Sequence, residues 1–154
     1  MMLKPKRILV PTDFSEHSDA SLIQAFDIAE ACKSTVYVLH VVRDKVHYAF
    51  SDDFDAMQVN DKGLKALDKN IIKSIHEKLS EQVTRLLKGR NIKVIQDVIF
   101  GIPYEEILNE QKKRKVDLIV ISSLGRSGIA RFFLGSVARN VLKGANCNVL
   151  LTKQ

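Results

Sequence analysis

The sequence predicts an α/β domain in which a parallel sheet is covered by helices on both faces. Five short apolar runs, rich in β-branched residues, are continuous rather than alternating, as in strands buried on both sides. Between them lie segments whose apolar residues recur at helical spacing. Such strand–helix alternation implies parallel strands joined by right-handed crossovers. The length, 154 residues, fits a single domain, for which about 100–200 residues is usual.

The first run, Ile8-Leu9-Val10, stops at Pro11. A helix follows over Ser15 to Ala31, with Leu22, Phe26 and Ala29 at i, i+4 and i+7. Asp13 or Ser15 can cap it, and Glu16 stands three after Asp13 as in a capping box. The second run is Val36-Tyr37-Val38-Leu39-His40-Val41-Val42. Arg43 to Asp61 is irregular, holding His47, Tyr48, Phe50 and Phe54 among acidic residues, and is expected to be a surface insertion.

From about Lys62 to Lys88, the residues Ile71, Ile75, Leu79, Val83, Leu86 and Leu87 form one stripe, and Gly89 ends the helix. Val94-Ile95 and Val98-Ile99-Phe100 frame the third strand, stopped by Gly101. Pro103 opens a third helix, where its missing N–H has no intrahelical partner to lose, with Ile107 and Leu108 inside. Leu118-Ile119-Val120-Ile121 is the fourth run. Ser136 opens a fourth helix, with Val137, Val141 and Leu142 inside and Gly144 after it. Val149-Leu150-Leu151 is the fifth run.

Composition excludes several classes. A hydrophobic fraction of 45% and a charged fraction of 27% describe an ordinary folded domain, not a disordered chain. Cys32 and Cys147 form no CxxC or Cys/His cluster, which argues against a disulfide scaffold and a structural zinc site. No apolar run approaches the roughly 20 residues of a membrane span. Ile8-Leu9-Val10 is too short for a signal-peptide core. A cytoplasmic protein with reduced thiols and no membrane partner is therefore expected. A net charge of +6 permits a polyanionic partner. The one cluster, Lys112-Lys113-Arg114-Lys115, lacks interleaved aromatics and is expected to be a solvated helix end, so nucleic acid is not the expected partner.

Ligands of open parallel sheets bind beyond the C-terminal ends of the strands, where strand order reverses. Pro11-Thr12-Asp13, Val41-Val42 and Ser122 through Gly128 should arrive there. Gly125 and Gly128 allow main-chain N–H groups to approach an anion. Gly135-Ser136 leads into the last helix, whose first N–H groups lack partners and whose dipole end is positive. Ser136 can cap that helix or donate its hydroxyl to a phosphate, and Arg126 and Arg131 can add charge. Plain turn punctuation is the competing reading of these glycines. Asp13 can accept from a ribose hydroxyl or help hold a metal, or it can serve only as a helix cap. Val41 offers backbone groups and an apolar wall to an adenine edge, or is plain core.

The chain resembles the universal stress protein (Usp) family over essentially its whole length. Ile8-Leu9-Val10-Pro11-Thr12-Asp13-Phe14-Ser15 resembles that family's first strand and turn. Leu39-His40-Val41-Val42 resembles the end of its second strand, and Val116 through Ser122 resembles its fourth. Gly125, nine residues and then Gly135-Ser136 are similar to the later part of the ATP-binding members' Gly-x2-Gly-x9-Gly-Ser/Thr signature. Ser122 stands where that signature has its first glycine.

The resemblance implies an open five-stranded, Rossmann-like sheet in the order 3-2-1-4-5. It implies ATP as ligand, with Mg2+ or Mn2+. Pro11, Thr12 and Asp13 would border adenine and ribose, and Val41 would contact adenine through its backbone. Ile121 and Ser122 would lie beside the nucleoside. Gly125, Gly135, Ser136 and Val137 would hold phosphates through backbone N–H groups and the Ser136 hydroxyl. It further implies a homodimer paired through the last strand. Two other readings are a dimeric interaction protein that binds no nucleotide, because Ser122 closes the pocket, and a slow ATP hydrolase. The histidines His17, His40, His47 and His76 form no recognisable catalytic constellation, and no catalytic residue or protein-held metal is assigned.

Overall fold

A computed structural model describes residues 3–43, 61–124 and 134–153. Arg7–Pro11 forms β1, Glu16–Cys32 α1, Thr35–Val42 β2, Asp61–Leu87 α2, Lys93–Phe100 β3, Pro103–Lys113 α3, Leu118–Ser122 β4, Ser136–Gly144 α4 and Asn148–Thr152 β5. The strands make one parallel sheet in the order β3-β2-β1-β4-β5. The continuous apolar runs have this cause: both faces of the central strands are covered. Ile8 and Val10 pack with α1 and α2, together with Val36, Val38, Leu118 and Val120. Leu9 points the other way and packs with Leu39, Ile119 and Ile121 against α3 and α4.

The chain winds outward from β1 through β2 to β3, then returns to β4 and β5, so strand order reverses between β1 and β4. Beyond Pro11↔Leu39 the β1–β2 ladder ends, apart from the Thr12 N–H to Leu39 carbonyl bond of 2.9 Å. His40, Val41 and Val42 continue past it, paired with β3 alone. A reversal of strand order leaves a recess beyond the strand ends, here above β1 between β2 and β4.

Several local expectations are corrected. Ser15, not Asp13, caps α1: its side chain accepts from the Ser18 N–H, so Glu16 is the first helical residue and forms no capping box with Asp13. Gly135 occupies the cap position of α4, and Ser136 is already helical. Leu142 is 40% exposed, while Ala138 and Val141 form the inner face of α4. Gly144 lies inside α4 rather than after it. A Cβ there would come within 2.5 Å of Leu108 Cδ1, so this glycine serves the close approach of α3 and α4. The irregular stretch beyond Arg43, with His47, Tyr48, Phe50 and Phe54, lies outside the described residues up to position 60.

Arg114, in the basic cluster, does structural work. Its Nε donates to Glu110 at 2.6 Å, its NH2 donates to Asp97 on β3 at 2.5 Å, and its guanidinium lies 4.7 Å from the Tyr37 ring centroid. It clamps the end of α3 to the sheet. Lys112, Lys113 and Lys115 around it are exposed.

Candidate functional site

Asp13 sits in the turn between β1 and α1. Its Oδ1 accepts from the Ser15 N–H at 3.0 Å, the Ser15 hydroxyl at 2.5 Å and the Ser18 hydroxyl at 2.6 Å. The Ser18 hydroxyl in turn accepts from the Asp13 N–H at 3.0 Å. The Asp13 carboxylate is thus bound to the start of α1, as a short acidic side chain before a helix favours. Thr12 is buried, and its hydroxyl donates to Gln82 Oε1 on α2 at 2.9 Å, away from the recess. His40 Nδ1 lies 2.7 Å from the Thr12 carbonyl oxygen. The His40 ring is 4.4 Å from that of Phe14.

Across the reversal point, Ser122 ends β4. Its hydroxyl donates to the Leu124 carbonyl at 2.6 Å and accepts from the Leu124 N–H at 3.2 Å. The hydroxyl is folded into its own turn. The Ser123 N–H continues the ladder to the Thr152 carbonyl at 3.0 Å. The Gly135 N–H donates to the Ser123 carbonyl at 2.8 Å. The donors left to the start of α4 are the N–H groups of Ser136, Val137 and Ala138, which have no carbonyl of their own helix to meet. Gly125 and Arg126, with Gly128 and Arg131, lie outside the described residues.

A cleft of about 300 Å³ opens at this end of the molecule, lined by Arg43, Gly101, Ile102, Pro103, Tyr104, Ser136, Val137 and Asn140. It brings the first turns of α3 and α4 together at the ends of β2 and β3. Ser136 is exposed and Val137 half-buried there. Val41 and Ile121 belong to the apolar cluster into which Val137 packs, below the cleft. Pro11 is half-buried at the foot of the recess.

Arg43, Tyr104 and Asn140 were not singled out from the sequence. Arg43 carried a usable signal, a cation immediately after a strand's C-terminal end. Tyr104 donates to Glu105 at 3.0 Å; that hydrogen bond and the carboxylate's charge raise the phenol's pKa.

A larger groove of about 700 Å³ lies beside Phe14 and α2, lined also by Lys78, Gln82 and Arg85. Its lining includes no helix start, whereas the smaller cleft is lined by the first residues of α3 and α4. Among the described residues, no group of three His, Cys, Asp or Glu side chains could hold a metal ion. Burial pushes the Cys147 thiol up, away from nucleophilic use. Among the described residues no helix is long and apolar enough to cross a membrane.

The model of the universal stress protein family matches residues 4–153. The chain belongs to that family. The universal stress protein MJ0577 of Methanocaldococcus jannaschii is 32% identical over 166 residues, covering 100% of this chain and 98% of that one. Its solved structure has a TM-score of 0.80 at 28% identity, covering 99% of this chain and 98% of that chain. A universal stress protein in complex with cAMP gives a TM-score of 0.68 at 21% identity over 97% of this chain and 98% of that one. The Archaeoglobus fulgidus universal stress protein in complex with dAMP gives 0.66 at 22% identity over 98% of this chain and 100% of that one. The last two share the Usp fold with this chain.

Proposed function

We propose that this universal stress protein is an adenine-nucleotide-binding module, with ATP as ligand, acting in stress signalling as a homodimer. The observation that carries the reading is the start of α4. Ser136 offers an exposed hydroxyl beside helix-start N–H groups, on a cleft that Arg43 also lines. A helix start presents unpaired donors and a positive dipole end to an anion. Pro11, Asp13, Val41, Ile121 and Ser122, at or beside the C-terminal ends of β1, β2 and β4, would receive the nucleoside. Relatives of the same fold taken in complex with cAMP and with dAMP support an adenine nucleotide. No described carboxylate cluster fits a resident cation, so Mg2+ or Mn2+ would ride on the phosphate oxygens. The free thiols of Cys32 and Cys147 suit a cytoplasmic setting. Homodimerisation would use β5, a sheet edge paired only to β4 among the described residues.

Equilibrium dialysis of labelled ATP with Mg2+ tests the reading, with Gly135→Asp as the informative variant. Gly135 has φ −56° and ψ 150°, angles that aspartate adopts freely, and aspartate is a good helix cap. The variant should fold at least as well as the parent and bind ATP more weakly, by about tenfold or more, through charge repulsion. A parent that ignores millimolar ATP refutes the reading.

A second reading, a dimer that binds no nucleotide, is favoured by two observations: Ser122 replaces glycine beside the recess, and the Gly135 N–H is already donated. It predicts that Ser122→Gly gains ATP affinity from none in the parent.

A further inference from the structure

Thr12 and Gln82 are 5% and 4% exposed, and polar groups this deep need partners. They meet in a directional chain of hydrogen bonds. The Phe14 N–H donates to Thr12 Oγ1 at 3.1 Å, Thr12 Oγ1 donates to Gln82 Oε1 at 2.9 Å, and Gln82 Nε2 donates to Asp19 Oδ1 at 2.7 Å. Arg85 closes the chain at the surface, donating to Asp19 Oδ2 at 3.0 Å. A side-chain amide accepts at its oxygen and donates at its nitrogen, as this position requires. Its helical neighbours Leu79, Val83 and Leu86 are apolar and buried in the core between α2 and the sheet. An aliphatic residue at 82 would fill that layer equally well; the amide instead reaches the turn after β1.

That turn is backbone-strained. Phe14 has φ +65°, a region that a bulky L residue avoids unless its surroundings impose it. Its N–H is tethered through Thr12 to Gln82. Its ring lies against His40, and Lys78 Nζ stands 4.7 Å from its centroid. Asp13, the residue expected to meet the nucleoside, lies between the two tethered positions. We propose that Gln82 is a positioning residue for the nucleotide: from α2 it holds Thr12, Asp13 and Phe14 in the conformation the ligand needs. This rests on the nucleotide reading of the site and adds an element, α2, that the site itself does not contain.

The test uses the full chain as parent, Gln82→Leu, Gln82→Met and Val83→Ala, the last a core truncation on the same helix that leaves the chain intact. Two quantities are read at a temperature where every variant is folded. One is ATP affinity with Mg2+ by titration calorimetry; the other is hydrogen exchange of the Phe14 amide without nucleotide. Both Gln82 variants should lose about tenfold in affinity, the equivalent of one lost hydrogen bond, and should speed Phe14 exchange by a similar factor. Val83→Ala should lower the melting temperature yet leave both quantities within about twofold. The proposal is overturned if the Gln82 variants bind and exchange as the parent does, or if Val83→Ala loses as much affinity as they do. A parent that binds no ATP overturns the nucleotide reading instead. The exchange measurement then still decides whether Gln82 holds the turn.

Discussion

At the scale of single residues, two positions show how backbone and charge constrain the molecule. Gly101 has φ +155°, and an added Cβ would meet Glu106 Cγ at 2.6 Å. Gly101→Ala should therefore destabilise by about 1–3 kcal/mol in urea unfolding, from strain and crowding together. A loss within error of zero would show that the first turn of α3 yields freely. Glu110 is buried at the end of α3. Burial alone would push its carboxyl up, but hydrogen bonds from Arg114 and Lys113, with their charges, outweigh this and hold it below its ordinary value. A carboxyl lowered by folding adds stability that is complete above its unfolded pKa and is lost as pH falls through the folded one. The parent should thus lose stability below about pH 5, and Glu110→Gln should show a shallower loss across that window. Parallel acid-unfolding curves would contradict the assignment. The sequence displayed Lys112 through Lys115 as one basic block. Only the packing of α3 on β3 separates the clamped Arg114 from its exposed neighbours.

At the scale of elements, most of the fold was legible because each strand is a continuous apolar run between turn residues. Helix ends were harder to read. Asp13 and Ser15 are both good caps by composition, and choosing between them needs the backbone angles of the turn. Ser15→Ala should cost about 1 kcal/mol in thermal unfolding, by loss of its bond to the Ser18 N–H. No measurable change would return the cap to Asp13. Lys33 ends α1 at φ +60°, where glycine is favoured. Lys33→Gly should raise stability by about 0.5–1 kcal/mol, and a loss would show that the lysine side chain makes a contact of its own. The buried Gln82 was invisible in sequence. A polar residue within a helix reads as solvent-facing unless its distant partner is known, and Thr12 is 70 positions away. Leu142 fell on the predicted inner stripe but is exposed, since on so short a helix a one-residue offset rotates a side chain out of the contact.

At the scale of the whole molecule, parallel topology gathers the strand C-termini and helix N-termini at one end. The candidate site is expected there because the fold turns the strand ends, and the N–H groups that have no acceptor within their own helix, toward that end. Residues far apart in sequence, such as Arg43, Tyr104 and Ser136, line one cleft there. The sequence exposed Asp13 and Ser136 through their motif-like settings; Arg43 offered only its place after a strand's C-terminal end, which does not tell that it lines a cleft. As a homodimer the protein should sediment at about twice the chain mass of 17.4 kDa; a species at the chain mass at micromolar concentration would contradict pairing through β5. The central claim is that an anionic nucleotide lies at the start of α4, across from the turn after β1. A two-dimensional amide NMR titration with ATP and Mg2+ tests it most directly. Saturable shifts are expected at Asp13, Ser136 and Val137, with Lys33 and Lys115 at the opposite end unmoved. Spectra unchanged at millimolar ATP, or shifts confined to that opposite end, would contradict it.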